Sequence, residues 1–574
     1  MLEAIKKEGD KVAEKTKKKI GEKLKSGRFI SWNDYAIERI KKEIGDVLIA
    51  KFSLPADSIK NLRLETPPAH IMADLSLSLF DFAKELKRDP KKMAEESAAT
   101  VNNPLGHSMF KWLGRAQPAG PYLNLILNKE KIYSLVLSQA GKLKNKYGEN
   151  GVNAEKTAII DYSGPNIAKP IGVGHLRSTI IGQALANIYE ATGYGVIRDN
   201  HLGDWGTQFG KLVYAYRQWG DKKKIAENPI KELNELYVKF HEEAEKNPEI
   251  EDIAREIFQK MEEGDSELIK LWMKFRSISI AEFKKVYERL GIKFDMYLGE
   301  SYFAGETDKI VKECLEKKLA KKDEETGAIA VEDLEGLPSF LLRKKDDSGL
   351  YITRDFIDGA KAKHIGFGLV LSGGEKMSTR KGTLIELEEL IKQSVEKSKE
   401  ILRQKNKDLS EKEIEEISEI IGLGAVVYND LRQSRQKNIS FDWKRMLDFE
   451  GGSAVYLQYT VARINSILKK LNAGEIEEKI FKLVFEKESE FALARKMMFF
   501  PVVILEAQKH NSPHLIAVYL EELAQLFNHF YNEVSIIGTE DANLRLSRIS
   551  LIKSVATVIK NGLKLLGVKT PEKI

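Results

Sequence analysis

The spacing of apolar residues changes twice along the 574-residue chain. Up to about residue 150, helical and alternating patterns are mixed. A lysine-rich stretch with apolar positions at helical intervals covers 1–45, and VLIAKFSL (47–54) reads as a strand. A helix is predicted near 74–88, and YLNLILN (122–128) reads as another strand. A charged helix then ends in KNKYGENG (144–151), whose glycines and asparagines mark an exit linker. These elements predict a small N-terminal α+β domain over 1–150.

From Lys156 onward, short apolar runs alternate with helical segments, the pattern of a parallel sheet flanked by helices. TAIIDY (157–162) is predicted as a strand and 178–191 as a helix, with the loop NIAKPIGVGHLRST joining them. A highly charged helical stretch at 225–290 interrupts the alternation and reads as an insertion. After about residue 385 strand signals nearly vanish, and amphipathic helices continue to the C-terminus. The fold predicted is an α/β unit over 151–385 followed by an all-α bundle over 386–574, without internal repeats.

A chain this long implies about three or four domains. Its 92 basic and 86 acidic residues leave a net charge of +6, too even to name a partner but compatible with a locally basic groove for a polyanion. The single cysteine, Cys314, excludes an intrachain disulfide and a cysteine-rich zinc site, and fits a reducing compartment. The longest apolar run, MMFFPVVIL (497–505), is broken by Pro501 and falls far short of the roughly 20 residues of a membrane span. The N-terminus lacks the apolar block of a signal peptide, so a soluble, cytoplasmic protein is expected.

Gly172 and Gly174 match neither the dinucleotide fingerprint GxGxxG nor the P-loop, and glycines at a strand-to-helix turn can be purely steric. Asn166, Lys169, His175, Arg177 and Ser178 surround them, however, and a helix N-terminus with nearby cations is an anion site. A second candidate, GGEKMSTRKG (373–382), carries Lys376, Arg380 and Lys381 among small residues. Such a loop is either simply solvated or able to close over a triphosphate and stabilise charge on leaving pyrophosphate.

Together GVGH and KMSTR resemble the two signatures of class I aminoacyl-tRNA synthetases. YSGPNIAKP, GHLRSTIIGQAL, NHLGDWGTQFG, FDMYLGES, LYITRD, HIGFGLVL, FDWKRMLDFEG and LQYTVARI, in that order, narrow the resemblance to the arginyl-tRNA synthetases. It implies a Rossmann-like catalytic domain, an N-terminal accessory domain that touches tRNA, and a C-terminal anticodon-binding bundle. The implied substrates are ATP, with Mg²⁺ arriving on it and no protein-bound metal, together with L-arginine and tRNA(Arg); a monomer is expected.

By the same resemblance, His175, Lys169 and Lys376 are the catalytic phosphate contacts, within an ATP site that also includes Gly172, Gly174, Met377, Ser378, Arg380 and Lys381. Asp161, Asn166, Tyr351, Asp355 and Gln208 are assigned to arginine, whose planar guanidinium suits bidentate carboxylates. His201, Asp204 and Trp205 share the strand end with Gln208, where ligands of open sheets bind, although a tryptophan-anchored core turn explains them equally well. Arg432, Arg435, Trp443, Tyr456, Tyr459 and Arg463 mix cations with aromatics, which suits stacking on unpaired bases; an aromatic stripe on a helix is also the ordinary pattern of a core.

Two departures stand out. Gly172 occupies the position where the family's first signature usually has histidine. Only FIDGAKAK separates Asp355 from His364, where the family carries a further βα unit, and eight residues cannot make a parallel crossover. Either the sheet is one strand short, or the neighbouring chain covers the gap differently. A synthetase paralogue that binds tRNA with adenylation impaired is therefore the alternative expectation.

Overall fold

The computed structural model describes residues 29–68, 70–103, 110–304, 307–323, 327–331, 340–343, 363–372, 375–376, 386–440, 442–471 and 483–574, with scattered positions between 7 and 22. Ile37, Ile40, Ile44, Val47 and Leu48 recur at helical intervals and are buried along one face of helix α1 (Ala36–Phe52). That period overrides the β propensity of VLIAKFSL, which is helix as far as Phe52 rather than the strand expected. An antiparallel sheet comprises β1 (Leu64–Glu65), β2 (Leu75–Ser78), β3 (Leu113–Ala119) and β4 (Tyr122–Leu127), in the spatial order β1-β2-β4-β3. The helix expected near 74–88 is divided: LSLS alternates in burial and pairs with β4, and only α2 (Phe80–Leu86) is helical. α3 (Pro90–Asn102) and α4 (Lys129–Leu143) complete the domain.

The second half of the segment expected to be a linker, from residue 147, is packed inside, while 144–146 are exposed. Tyr147 is 2 % exposed, and its ring stacks on Phe500, which stacks in turn on Tyr519. Tyr35 donates its hydroxyl proton to Glu149 O (2.8 Å) and accepts from Gly148 N–H (2.9 Å). Gly148 has φ +102°, and a Cβ there would lie 2.6 Å from Ile504 and 2.7 Å from Phe500, so only glycine fits. Asp74 reaches Arg495 (3.1 Å), a second tie between the N-terminal domain and the C-terminal helices.

In the α/β unit, β5 (Thr157–Asp161) leads through the glycine loop to α5 (Val173–Ala191), which begins five residues earlier than its apolar spacing predicts. β6 (Gly195–Asp199) pairs with β5 in parallel, placing Asp161 opposite Asp199 at the strand ends. After α6 (Thr207–Trp219) comes the insertion: α7 (Lys222–Glu227), α8 (Pro229–Lys246), α9 (Glu249–Glu262) and α10 (Ser266–Leu290). Strands β7 (Lys321–Lys322), β8 (Ile329–Val331) and β9 (Phe340–Arg343) form a small antiparallel sheet. β10 (Val370–Ser372) pairs antiparallel with β11 (Glu375–Lys376).

The helical part holds α11 (Leu387–Lys405) and α12 (Glu411–Leu431). It also contributes one short strand, β12 (Ile439–Ser440), parallel to β10. α13 (Ala454–Lys470), α14 (Glu488–Met498), α15 (Phe500–His510), α16 (His514–Glu533) and α17 (Ala542–Leu565) follow. Ile516, Leu520, Leu523, Phe527 and Phe530 of α16 are wholly buried at helical spacing, so this bundle is held by ordinary apolar burial. No helix among the described residues is long and apolar enough to cross a membrane.

Candidate active site

At the N-terminus of α5, Gly174 is exposed, while Gly172 is buried and bridges antiparallel to Glu386. Gly172 has an extended backbone (φ −84°) and Gly174 is helical, so neither is required by backbone conformation. A Cβ on Gly174 would meet nothing within 4 Å. The turn therefore does not need glycine at 174; what glycine leaves there is room for a ligand against a helix end whose first amides lack intrahelical acceptors. Gly172 N–H donates to His175 Nδ1 (3.2 Å), which fixes the tautomer with its proton on Nε2. Burial lowers the His175 pKa, so the ring is a neutral N–H donor.

The preceding loop is tightly tied. Ile167 N–H donates to Gly203 O (3.2 Å), Gly203 N–H donates to Pro165 O (3.2 Å), and Asn166 bridges to Gly203 as an isolated parallel pair. Asn166, Lys169 and Gln208 line one small cleft with Phe209 and Tyr237. Lys169 Nζ lies 4.3 Å from the centre of the Tyr237 ring, and burial lowers its pKa.

Asp161 accepts from His201 N–H (3.1 Å); its edge is open to solvent, yet crowding by protein raises its pKa. Asp199, directly across the ladder, accepts from Asn200 N–H and Leu298 N–H. Burial, with a further push from the Asp161 carboxylate, raises it to about 6. Sequence reading missed Asp199, although IID and IRD ending two parallel strands in register was a usable signal. It also missed Tyr237, for which a charged helical insertion offers none.

Asp204 and Trp205 are core groups, as the structural explanation of NHLGDWGTQFG had it. Asp204 accepts from Ser301 N–H (2.8 Å), Ser301 Oγ–H (2.9 Å) and Arg276 Nε–H (2.7 Å). Trp205 is 2 % exposed and packs edge-on against Trp272 and Phe258. Arg177 points away from the cleft. It donates to Leu369 O (3.2 Å) and Arg435 O (3.0 Å) and lies 3.3 Å from Asp430 of α12.

Tyr351, Asp355, Met377, Ser378, Arg380, Lys381 and most of FIDGAKAK lie outside the described residues. Of Lys376 only the backbone is described, paired with Leu371. Among the described residues, no group of three or more His, Cys, Asp or Glu side chains could hold a metal ion.

The six residues assigned to tRNA divide in two. Tyr456 is 4 % exposed, and its hydroxyl accepts from Asn528; Arg432 pairs with Glu521 (3.3 Å), and Arg435 donates to Asn511 O (3.1 Å) and Gly366 O. These three hold helices and loops together, and as placed Tyr456 is too buried to stack on a base. Arg463 instead lies over the rings of Tyr459 (4.9 Å) and Tyr531 (5.4 Å), and Tyr531 is 39 % exposed. Trp443 is half-buried, with Lys397 at 5.8 Å from its ring.

Family models match almost the whole chain. The arginyl tRNA synthetase N terminal domain covers 36–127, the catalytic domain of tRNA synthetases class I (R) covers 136–363 and 356–443, and the DALR anticodon binding domain covers 457–574. The arginine-tRNA ligase of Halothermothrix orenii is 38 % identical over 585 positions, covering 95 % of this chain and 100 % of the relative. That of Clostridium acetobutylicum is 38 % identical over 550 positions, covering 89 % and 96 %. An alignment of 585 positions that uses 95 % of 574 residues leaves about 40 positions of the first relative without a counterpart here. The catalytic-domain match also breaks and restarts at 356–363, within FIDGAKAK. The Thermus thermophilus arginyl-tRNA synthetase structure shares the fold at TM-score 0.74 and 23 % identity, covering 93 % of this chain and 100 % of that one. Matched along its length by three consecutive domains and by relatives well above a third identical, the chain belongs to the arginyl-tRNA synthetase family.

Proposed function

We propose that the chain is an arginine-tRNA ligase. A carboxylate oxygen of L-arginine attacks the α-phosphorus of ATP, the bond to the bridging β-phosphate oxygen breaks, and pyrophosphate leaves. A ribose hydroxyl at the 3′ end of tRNA(Arg) then attacks the arginyl carbonyl, and AMP leaves. No covalent enzyme intermediate is required, so the protein's work is to position reactants and neutralise phosphate charge.

One observation carries this reading: Gly174, exposed in the first turn of α5, leaves room for a ligand beside a neutral His175 whose Nε2–H is free of the Gly172 bond. His175 Nε2 donates to a phosphate oxygen, and Lys169 and Lys376 supply charge, with Met377, Ser378, Arg380 and Lys381 closing the ATP site. Mg²⁺ enters on ATP as part of the substrate. Asp161 and Asn166 face the arginine from the end of β5, Gln208 lines the cleft with Asn166, and Tyr351 and Asp355 hold the guanidinium. Arg463, Tyr459 and Trp443 serve tRNA. The working form is a cytoplasmic monomer.

The alternative of an adenylation-impaired paralogue draws no support from the relatives named above, which are arginine-tRNA ligases end to end. The test is arginine-dependent ATP–pyrophosphate exchange with and without cognate tRNA. Exchange is expected; its absence alongside tight tRNA binding refutes the proposal.

A further inference from the structure

We propose that Tyr237, on the helical insertion, is a positioning residue that holds the Lys169 ammonium for its phosphate, so that the insertion sets the ATP affinity of the site. The inference rests on the reading of Lys169 as a phosphate contact.

Four observations carry it. Ala168, immediately before Lys169, has φ +61°, a left-handed conformation that costs a residue with a Cβ on the order of 1 kcal/mol and persists only where the surroundings fix it. The insertion supplies part of that restraint, because Ala168 N–H donates to the wholly buried Ser279 Oγ of α10 (2.9 Å). The Lys169 side chain leaves this fixed backbone for the Tyr237 ring of α8, at 4.3 Å. The ring is itself packed by His241 one turn later, at 4.7 Å and 72°.

The fourth observation concerns what is missing beside Lys169. Among the described residues its Nζ forms no ion pair and no hydrogen bond, although the side chain is half-buried. A partly desolvated ammonium in a cleft normally recruits a carboxylate. A carboxylate here would hold the lysine more strongly, but it would also compete with phosphate for the same charge. An aromatic face attracts the cation without neutralising it and leaves the N–H groups on the far side for an incoming anion. It also restrains a flexible four-carbon stem before the ligand arrives, which is where preorganisation adds affinity. Lysine, ring and cleft thus form an anion contact whose aim is set by an element outside the sheet.

The experiment measures pyrophosphate exchange in the full chain with ATP and arginine varied separately. Tyr237→Leu is expected to raise KM for ATP about fivefold, the size of a partly desolvated cation–π contact, while KM for arginine is unchanged. Tyr237→Phe, which keeps the ring, is expected to behave as wild type. In a Lys169→Met background, Tyr237→Leu should have no further effect. If Tyr237→Leu loses its circular dichroism, Tyr237→Met, apolar and unbranched without a π face, takes its place. Additive effects of the two mutations, or an unchanged KM for ATP in Tyr237→Leu while Lys169→Met is impaired, overturn the role of Tyr237 alone. Wild-type behaviour of Lys169→Met overturns the reading of Lys169 and the inference with it.

Discussion

Replacing Arg177 by methionine should destabilise the protein by an amount that grows with pH. Arg177 and Asp430 are 1 % and 2 % exposed, and their contact is a single 3.3 Å approach. Burial pushes the Asp430 carboxyl from its ordinary 3.8 up to about 7, because attraction from Arg177 only partly offsets desolvation. Its folded pKa lies above the unfolded one, so the stability it contributes is fully present below about pH 4 and is lost as pH rises through 7. Three pKa units correspond to about 4 kcal/mol. Without Arg177 the carboxyl shifts higher still.

Below pH 7 both proteins then carry a neutral acid, and the variant loses mainly the bonds from Arg177 to Leu369 O and Arg435 O, about 2 to 3 kcal/mol together. Above pH 7 only the wild type ionises, so the gap should widen by about 1.4 kcal/mol per pH unit until the variant also titrates. Urea unfolding of both proteins at pH 6, 7.5 and 9 measures this. The two are compared at each pH, since a chain this long need not unfold in one step. Adding Asp430→Asn to the variant should stop the widening. Parallel stability curves for wild type and Arg177→Met from pH 6 to 9 would refute the reasoning.

Three further outcomes are expected. His175→Ala should lower kcat for pyrophosphate exchange by about a hundredfold, the loss typical of one preorganised donor; because burial lowers its pKa, any His175 titration in wild-type kcat should have its midpoint below the ordinary 6.5. Asp204→Ala leaves Arg276 and Ser301 without their buried acceptor and should cost about 3 to 5 kcal/mol in chemical denaturation, whereas a surface carboxylate would cost under 1. Arg463→Ala should weaken tRNA binding several-fold in filter binding while leaving KM for ATP unchanged, and Tyr456→Phe, which removes only a hydroxyl bonded to Asn528, should not weaken it.

The periodic parts of this fold were legible in the sequence. Helices α8 to α10 and those after residue 385 announce themselves by apolar spacing, and β5 by a short apolar run between breakers. Where the spacing served two readings, local propensity misled: VLIAKFSL looks extended until Ile37, Ile40 and Ile44 upstream show whose face it continues. At the site, the glycine motif and His175 could be found because they are contiguous. Tyr237 and Ser279 could not, since they lie 68 residues from Lys169 and 111 residues from Ala168 in the sequence and are brought close only by the tertiary fold. The cation–aromatic composition of the C-terminal helices was visible, but which ring faces outward was not: Tyr456 and Tyr459 are three residues apart, and only Tyr456 is buried below a tenth.

The stacked rings of Tyr147, Phe500 and Tyr519 bear on how this chain can be divided. A cut near residue 150, where composition suggests a boundary, would run through interior packing and leave an aromatic socket on each fragment. Neither half should be expected to behave as an autonomous module. The same column fixes the angle between the N-terminal domain and the C-terminal bundle much as a weld fixes two arms of a caliper: a long, bent polyanion gripped by both would be gauged against a preset span, with misfit taken up by the ligand.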